Sequence, residues 1–432
     1  MDRLARMLFV LGLVALAFVY GYATRAWKLF PYQPMKQASD VLGAFANFYL
    51  ETDYLEVPIR HEGAGVTRLD RERAAPGHTL LALYTGDAFL ARLVDLDGTV
   101  VHEWRAGFRE IWGDDPPHVH VAGADAVIEW HGTHLFSNGD LLLNFEGHLF
   151  PYGGGLVRLD KDSRVVWKLD RNTHHAIAVA EDGTIWVPGL NYRPEGMAEL
   201  PGWEPWFYED TLLKVAPDGT LLDEISVPLA LRSLPGLLPP WTDSFDPTHL
   251  NDIDIVPAAL ADAFPMLKEG DLLVSLRNVD LLVAIDPRRK VATWAMAGPF
   301  RRQHDPDLLP NGRLLVFDNL GGDPACGRSR VLEIDPVSYA IPWRYDGCMA
   351  GDRFDSEAWG AQEPLPNGNI LITESFGGRV LEVTREERPR IVWEYVNRIG
   401  ERDGQAIGGV VGEARRFAPG TLTFLDAEAP SS

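Results

Sequence analysis

From His78 onward the chain alternates short apolar runs with turns rich in Asp, Asn, Gly and Pro, a pattern that reads as all-β and repetitive. Each unit has an inner apolar strand, a strand that ends in an acidic or Pro-bearing turn, and a strand that carries Trp or an aliphatic equivalent. The turn and last strand appear as Asp95-Leu96-Asp97-Gly98 with Trp104, Asp160-Lys161-Asp162-Ser163 with Trp167, and Ala216-Pro217-Asp218-Gly219 with Ile225. They return as Asp286-Pro287-Arg288-Arg289 with Trp294, Asp335-Pro336-Val337-Ser338 with Trp343, and Thr384-Arg385-Glu386-Glu387 with Trp393. Six units of roughly 50–70 residues predict a six-bladed β-propeller over 78–426. An open β-solenoid wants shorter and more uniform repeats. The stretch from Arg415 to Leu425 predicts a final strand that pairs near the first blade and removes an exposed edge.

Ahead of the repeats the pattern changes twice. Arg3 and Arg6 precede an apolar run, Met7 to Ala23, and Arg25 and Lys28 follow it. Its length lies just below the ~20 residues of a membrane span and at the top of the range for a signal-peptide core. Residues 1–28 are therefore expected to be a signal-anchor or signal peptide, with residues 7–23 in the membrane. Gly21-Tyr22-Ala23 is a weak cleavage site, and either outcome exports the remainder to the periplasmic or extracytoplasmic side. Residues 29–77 hold no sustained period and read as a spacer, with a candidate helix over Ser39–Glu51.

Composition narrows the function. At 432 residues, 46% hydrophobic and with 13 Trp, the chain can build a large core. A formal net charge of −22 argues against nucleic acid, which binds basic surfaces. Cys326 and Cys348 flank two strands joined by Asp335-Pro336-Val337-Ser338, so a cross-strand disulfide is expected in an oxidising compartment.

Candidate chemistry comes from histidines at a fixed offset. His131, His175 and His304 each stand seven residues before an Asn-Gly or Asp-Gly turn, at Asn138-Gly139, Asp182-Gly183 and Asn311-Gly312. A turn sets strand register, so the three imidazoles are expected to point to one place. In the fourth unit His249 and Asn251 are two apart, and Arg277 ends the apolar run Leu272–Leu276. A guanidinium in a buried strand needs an anion or a well-placed acceptor. Imidazoles, an amide and a guanidinium on one axis bind anions, and an imidazole among them can be nucleophile or base. His174 is expected to face the opposite way from His175 and to be structural, and His61 to face solvent. His118, His120 and His148 fall in loops. The insertions Asn191–Tyr208 and Leu229–Pro247 lie between repeats, where loops build a propeller's mouth.

Taken in order, Thr173-His174-His175, Glu209-Asp210-Thr211 through Val215, His249-Leu250-Asn251, Val274-Ser275-Leu276-Arg277 and Gln303-His304 through Asn319 resemble the bacterial arylsulfate sulfotransferases. These are exported enzymes that work without the nucleotide sulfate donor. The resemblance covers about residues 125–400. It implies a six-bladed propeller with an axial site and a transient sulfohistidine at His304. His249, Asn251, Arg277 and His175 match the groups that hold sulfuryl oxygens and move protons, and His131 joins them by spacing alone. It also implies an aryl sulfate donor, a phenol acceptor, and neither cofactor nor metal. Two departures stand out: no β-sandwich precedes the propeller, and His304 is followed by the acidic Asp305-Pro306-Asp307. A non-catalytic, membrane-tethered binding propeller and a four-His metal oxygenase are the alternatives. Oligomeric state has no signature.

Overall fold

The computed structural model describes residues 2–27, 29–32, 35, 54–113, 128–147 and 153–426. The candidate helix at Ser39–Glu51 and the loop histidines His118, His120 and His148 lie outside them. The chain divides into two compact units, Met1–Thr52 and Asp53–Ser432. In the first, a helix runs from Asp2 to Trp27, and its segment Ala5–Thr24 is long and apolar enough to cross a membrane.

The second unit is almost wholly β. Seven antiparallel sheets occur among the described residues, and six of them follow one another along the chain. Sheet I joins the late strand Val411–Phe417 to His78–Tyr84, Phe89–Val94 and Val100–Trp104. Sheet II is Ile128–Leu135, Leu141–Gly147, Gly153–Leu159 and Val165–Leu169. Sheet III is Ala178–Val179, Ile185–Arg193, Phe207–Val215 and Leu221–Ser226. Sheet IV is Leu250–Ile255, Leu272–Leu276, Leu281–Asp286 and Val291–Ala297. Sheet V is His304–Leu308, Leu314–Asp318, Arg330–Ile334 and Trp343–Asp346. Sheet VI is Ala361–Pro364, Ile370–Glu374, Arg379–Val383 and Ile391–Val396, with Gly65–Leu69 added outside. A smaller sheet combines Glu56–Pro58, Gln405–Gly409 and Arg398–Arg402.

Middle strands such as Leu272–Leu276 and Leu314–Asp318 are buried throughout, so they read as unbroken apolar runs rather than alternations. Tryptophans on the strands that follow the repeating turns explain those turns. Trp104 Nε1 donates to Gly139 O in the first turn of sheet II, and Trp167 Nε1 to Pro217 O in the last turn of sheet III. Trp343 Nε1 donates to Glu386 O of sheet VI, and Trp393 Nε1 to Leu96 O of sheet I. The Trp104 and Trp393 rings are buried, those of Trp167 and Trp343 pack half-buried against the core, and each indole spends its one donor on the next sheet. The Trp and turn motifs are thus two halves of one latch.

Polar side chains repeat the idea at the inner ends. Asn144 Nδ2 donates to His175 O (2.7 Å), Ser275 Oγ to Gln303 O (3.3 Å), and Asn397 Nδ2 to Tyr84 O (2.9 Å). Each contact ties one sheet to the entry of the next.

Several expectations change. Residues 29–77 contain two strands, and Gly65–Leu69 pairs with Ile391–Val396 of sheet VI; the pairing partner is near the far end of the chain, so no local period announces it. The late strand starts earlier than expected, at Val411, and ends at Phe417; Thr423–Asp426 is a short helix. Cys326 and Cys348 are joined in a disulfide with Cα atoms 5.0 Å apart. It is not cross-strand: the hairpin's pairing stops at Arg330 and Asp346, and the bond links the loop before it to the turn of helix Gly347–Ala350.

Candidate active site

His304 opens sheet V and is 3% exposed. Its Nδ1 lies 2.7 Å from Asn319 Oδ1. Asn319 Nδ2 donates to Ser356 O and Trp359 O, so the amide cannot be turned round and Oδ1 must accept. Nδ1 of His304 therefore carries the proton and Nε2 the lone pair. Burial first, and then the Arg277 guanidinium, hold this imidazole well below its ordinary pKa, so it is neutral across the physiological range.

Arg277 is not inside a strand. The strand ends at Leu276, and Arg277 begins a 3₁₀ turn to Val279. That turn rests on sheet IV's entry: Arg277 N donates to His249 O (3.0 Å) and Asn278 N to Thr248 O (3.1 Å). A turn end brings the guanidinium close enough to act on His304 without entombing it in the sheet. Its Nη1 also donates to Asn278 Oδ1 at 3.2 Å.

His249 precedes its strand and has φ 53°, so strand alternation does not set its direction relative to Asn251. A carboxylate sets it instead. His249 Nδ1 is 2.6 Å from Asp246 Oδ2, and Asn278 Nδ2 holds Asp246 through its main-chain O at 2.7 Å. Asp210 fixes the same segment from sheet III, accepting from Leu250 N (3.0 Å) and from Thr248 Oγ1. Burial, with Asp246 nearby, pushes the Asp210 carboxyl up to about 7. Asn251 Nδ2 donates to Gln303 O (2.8 Å), so this amide positions the residue just before His304.

His175 also has positive φ, 54°, which breaks the alternation that would have turned His174 away. His174 stays in the cluster, with its Nδ1 2.9 Å from His175 Nδ1. His175 is packed by His131 (ring centroids 4.5 Å apart) and His249 (5.2 Å). Burial and the surrounding imidazoles hold His175 well below its ordinary pKa. Gly132 makes the approach of His131 possible: it sits at φ 88°, and a Cβ there would lie 1.9 Å from His175 O. Burial acts to lower His131, but the carboxylates of Glu146, Glu129 and Glu413 together outweigh it and raise the imidazole. Glu146, buried on Leu141–Gly147, accepts the His175 backbone N–H.

A cavity of about 90 Å³ joins this imidazole cluster to a carboxylate one, and its lining includes His131, Asn251, His304, Asp252, Asp305 and Asp307. The Asp305 carboxyl accepts from Gln362 N (2.6 Å) and lies 3.6 Å from Arg415 Nη2. Burial pushes Asp305 to about 6 and Asp254 to about 7, and raises Asp252 and Asp307 well above the usual range. The acidic residues after His304 therefore take up protons readily, which moderates their charge.

The structure thus brings His131, His175, His249, Asn251, Arg277 and His304 around one region. Glu146, Asp210, Asp246, Asn319 and His174 belong with them and were not singled out for it. A polar residue ending a buried apolar run, as Glu146 and Asn319 do, was the available signal. His61 does not face solvent freely; its Nδ1 lies 3.2 Å from Arg379 Nη1. The two insertions pack on one another, through Glu204 N to Thr242 O (2.9 Å) and Tyr208 N to Phe245 O (2.8 Å).

Among curated proteins, none matches the chain significantly. Similar solved structures include a protein of unknown function from Bacteroides caccae, 15% identical, with a TM-score of 0.49, covering 78% of this chain and 98% of that one. They also include a streptogramin B lyase, 14% identical, TM-score 0.43, covering 84% and 97%. A third is the WD40 β-propeller domain of Doa1, 10% identical, TM-score 0.41, covering 84% and 96%. These likenesses are too distant to say anything of chemistry. The arylsulfotransferase (ASST) family model matches residues 132–398, more than half of the chain and all of sheets III to V. The chain belongs to the arylsulfotransferase family.

Proposed function

We propose that sheets I to VI are the blades of a six-bladed β-propeller, and that its axial cavity transfers a sulfuryl group from an aryl sulfate to a phenol through sulfohistidine at His304. The observation that carries this reading is the fixed tautomer of His304, which leaves the Nε2 lone pair beside a permanent cation.

In the first half-reaction the Nε2 lone pair attacks sulfur and the S–O bond to the aryl group breaks. The electron pair leaves on the phenolate oxygen, which takes a proton from protonated His249 and departs as a phenol. In the second, an acceptor phenol returns a proton to His249 while its oxygen attacks sulfur, and the S–N bond breaks back to Nε2. Nδ1–H stays on Asn319 throughout. As in phosphoryl transfer, catalysis rests on in-line placement and on charge stabilisation at the equatorial oxygens. Arg277 supplies the cation there, with His175, His131 and the second amide hydrogen of Asn251 as donors. Asp246 is a positioning residue that sets the His249 tautomer. In this reading the helix Asp2–Trp27 is an uncleaved membrane anchor, and the propeller faces the oxidising extracytoplasmic side, where the Cys326–Cys348 bond is maintained.

The test is turnover of p-nitrophenyl sulfate by the full-length protein in detergent, with and without phenol. Phenol-dependent p-nitrophenol release with parallel-line kinetics is expected. No release over a panel of aryl sulfates would shift the reading to a ligand-binding propeller.

A further inference from the structure

We propose that His131, Glu146 and His175 form a binding site for a divalent cation of the zinc class. One ligand atom from each lies within 4.8 Å of the other two, and all three residues are buried. Glu146 Oε2 is 3.5 Å from His131 Nδ1. That separation is too long for a good hydrogen bond and matches the edge of a zinc tetrahedron, about 3.4 Å for bonds of about 2.1 Å. His175 Nδ1 lies 2.9 Å from His174 Nδ1, and donating its proton there leaves the His175 Nε2 lone pair for the ion.

One further observation favours a ligand. His131 Nδ1 is fully buried and makes no good hydrogen bond, the nearest carboxylate oxygen being Glu146 Oε2 at 3.5 Å, which is costly unless something binds there. The set is two nitrogens and one carboxylate oxygen, the donors zinc takes in sites that keep a fourth position open. His131 lines the same cavity as His304, so the open position gives onto the space assigned to substrate. Zinc and aryl sulfate then compete for His175, and the bound cation is an inhibitor.

The site is read by binding rather than turnover, so it stands or falls separately from sulfuryl transfer. Full-length protein in detergent, stripped with a chelator, is titrated with ZnCl2 by calorimetry and with CoCl2 by visible absorption. One equivalent is expected, with cobalt bands of four-coordinate intensity. His131→Ala and Glu146→Gln should each weaken binding at least about 10-fold, whereas His102→Gln, remote from the cluster, should not. Circular dichroism melts identify a variant that fails to fold, and the other then decides. Absence of binding to the wild type, or binding unchanged in His131→Ala, overturns the proposal.

Discussion

Two clusters of buried charge in this molecule are finished in opposite ways. Around Arg379, in sheet VI, every guanidinium nitrogen is engaged. Nε pairs with Glu374, Nη1 reaches Asp352 (2.7 Å) and Glu394 (3.1 Å), and Nη2 donates to Arg353 O (3.1 Å). Arg379 and Glu374 are completely buried, and Arg60 adds a second cation to Glu374. Around His304 the accounts stay open. His131 Nδ1, His174 Nε2, Asp210 Oδ1 and Asn251 Oδ1 are all buried without a hydrogen bond, with only long ion-pair contacts from Glu146 to His131 (3.5 Å) and from His174 Nε2 to Asp210 Oδ1 (3.7 Å). Buried polar atoms are rarely left so, and where they gather they mark strain, function or an absent ligand. A satisfied cluster holds the fold, and an unsatisfied one is poised to receive something.

Substitutions should separate the two. The largest effect is expected at the open cluster: His304→Ala removes the proposed nucleophile and should lower phenol-dependent turnover at least about 10⁴-fold, with a melting curve close to wild type. Arg379→Ala should do the reverse. It strands Glu374 in the core and should cost about 3–5 kcal/mol of stability, visible as an early denaturant midpoint, while protein that remains folded keeps its transfer rate. Asp246→Asn leaves His249 in place without its anionic partner. A fall in kcat of about 10²-fold is expected with little change in stability, and recovery with donors whose leaving phenol is more acidic would mark the proton step.

The carboxylate side of the cavity offers a gentler contrast. The Asp254 carboxyl is raised by burial from 3.8 to about 7 and Asp305 to about 6, so the folded state holds protons that the unfolded chain has released. Between about pH 4 and 7 stability should therefore fall as pH rises, and Asp254→Asn should flatten that slope in thermal melts. The smallest effect is expected at the surface. Arg390 and Glu386, both more than half exposed and 2.9 Å apart, form a pair whose removal by Arg390→Ala should leave the denaturant midpoint unchanged.

Much of this was legible in the chain. Five of the six repeating motifs carry a Trp, and four of those indoles donate to a turn of the next sheet, a recurring contact that marked these strands in the sequence. That His175, His249, His304 and Arg277 come together was legible through motif order, and that His131 joins them through its spacing. Their directions were not, because His175 and His249 take positive φ and Arg277 sits on a turn, where strand alternation has no force. Asp210 and Asn319 were seen only as members of motifs, and Glu146 not at all, because each acts across a sheet boundary, on a partner far away in sequence. The outer strand Gly65–Leu69 was hidden for the same reason.

The most direct test of the central claim is the mass of the intact protein after incubation with an aryl sulfate and no acceptor. A gain of one sulfuryl group, mapped by fragmentation to His304, absent from His304→Ala and discharged by phenol, is the predicted result. An adduct of the same mass that persists in His304→Ala, or phenol-dependent turnover with no adduct on a rapid-quench timescale, would contradict it.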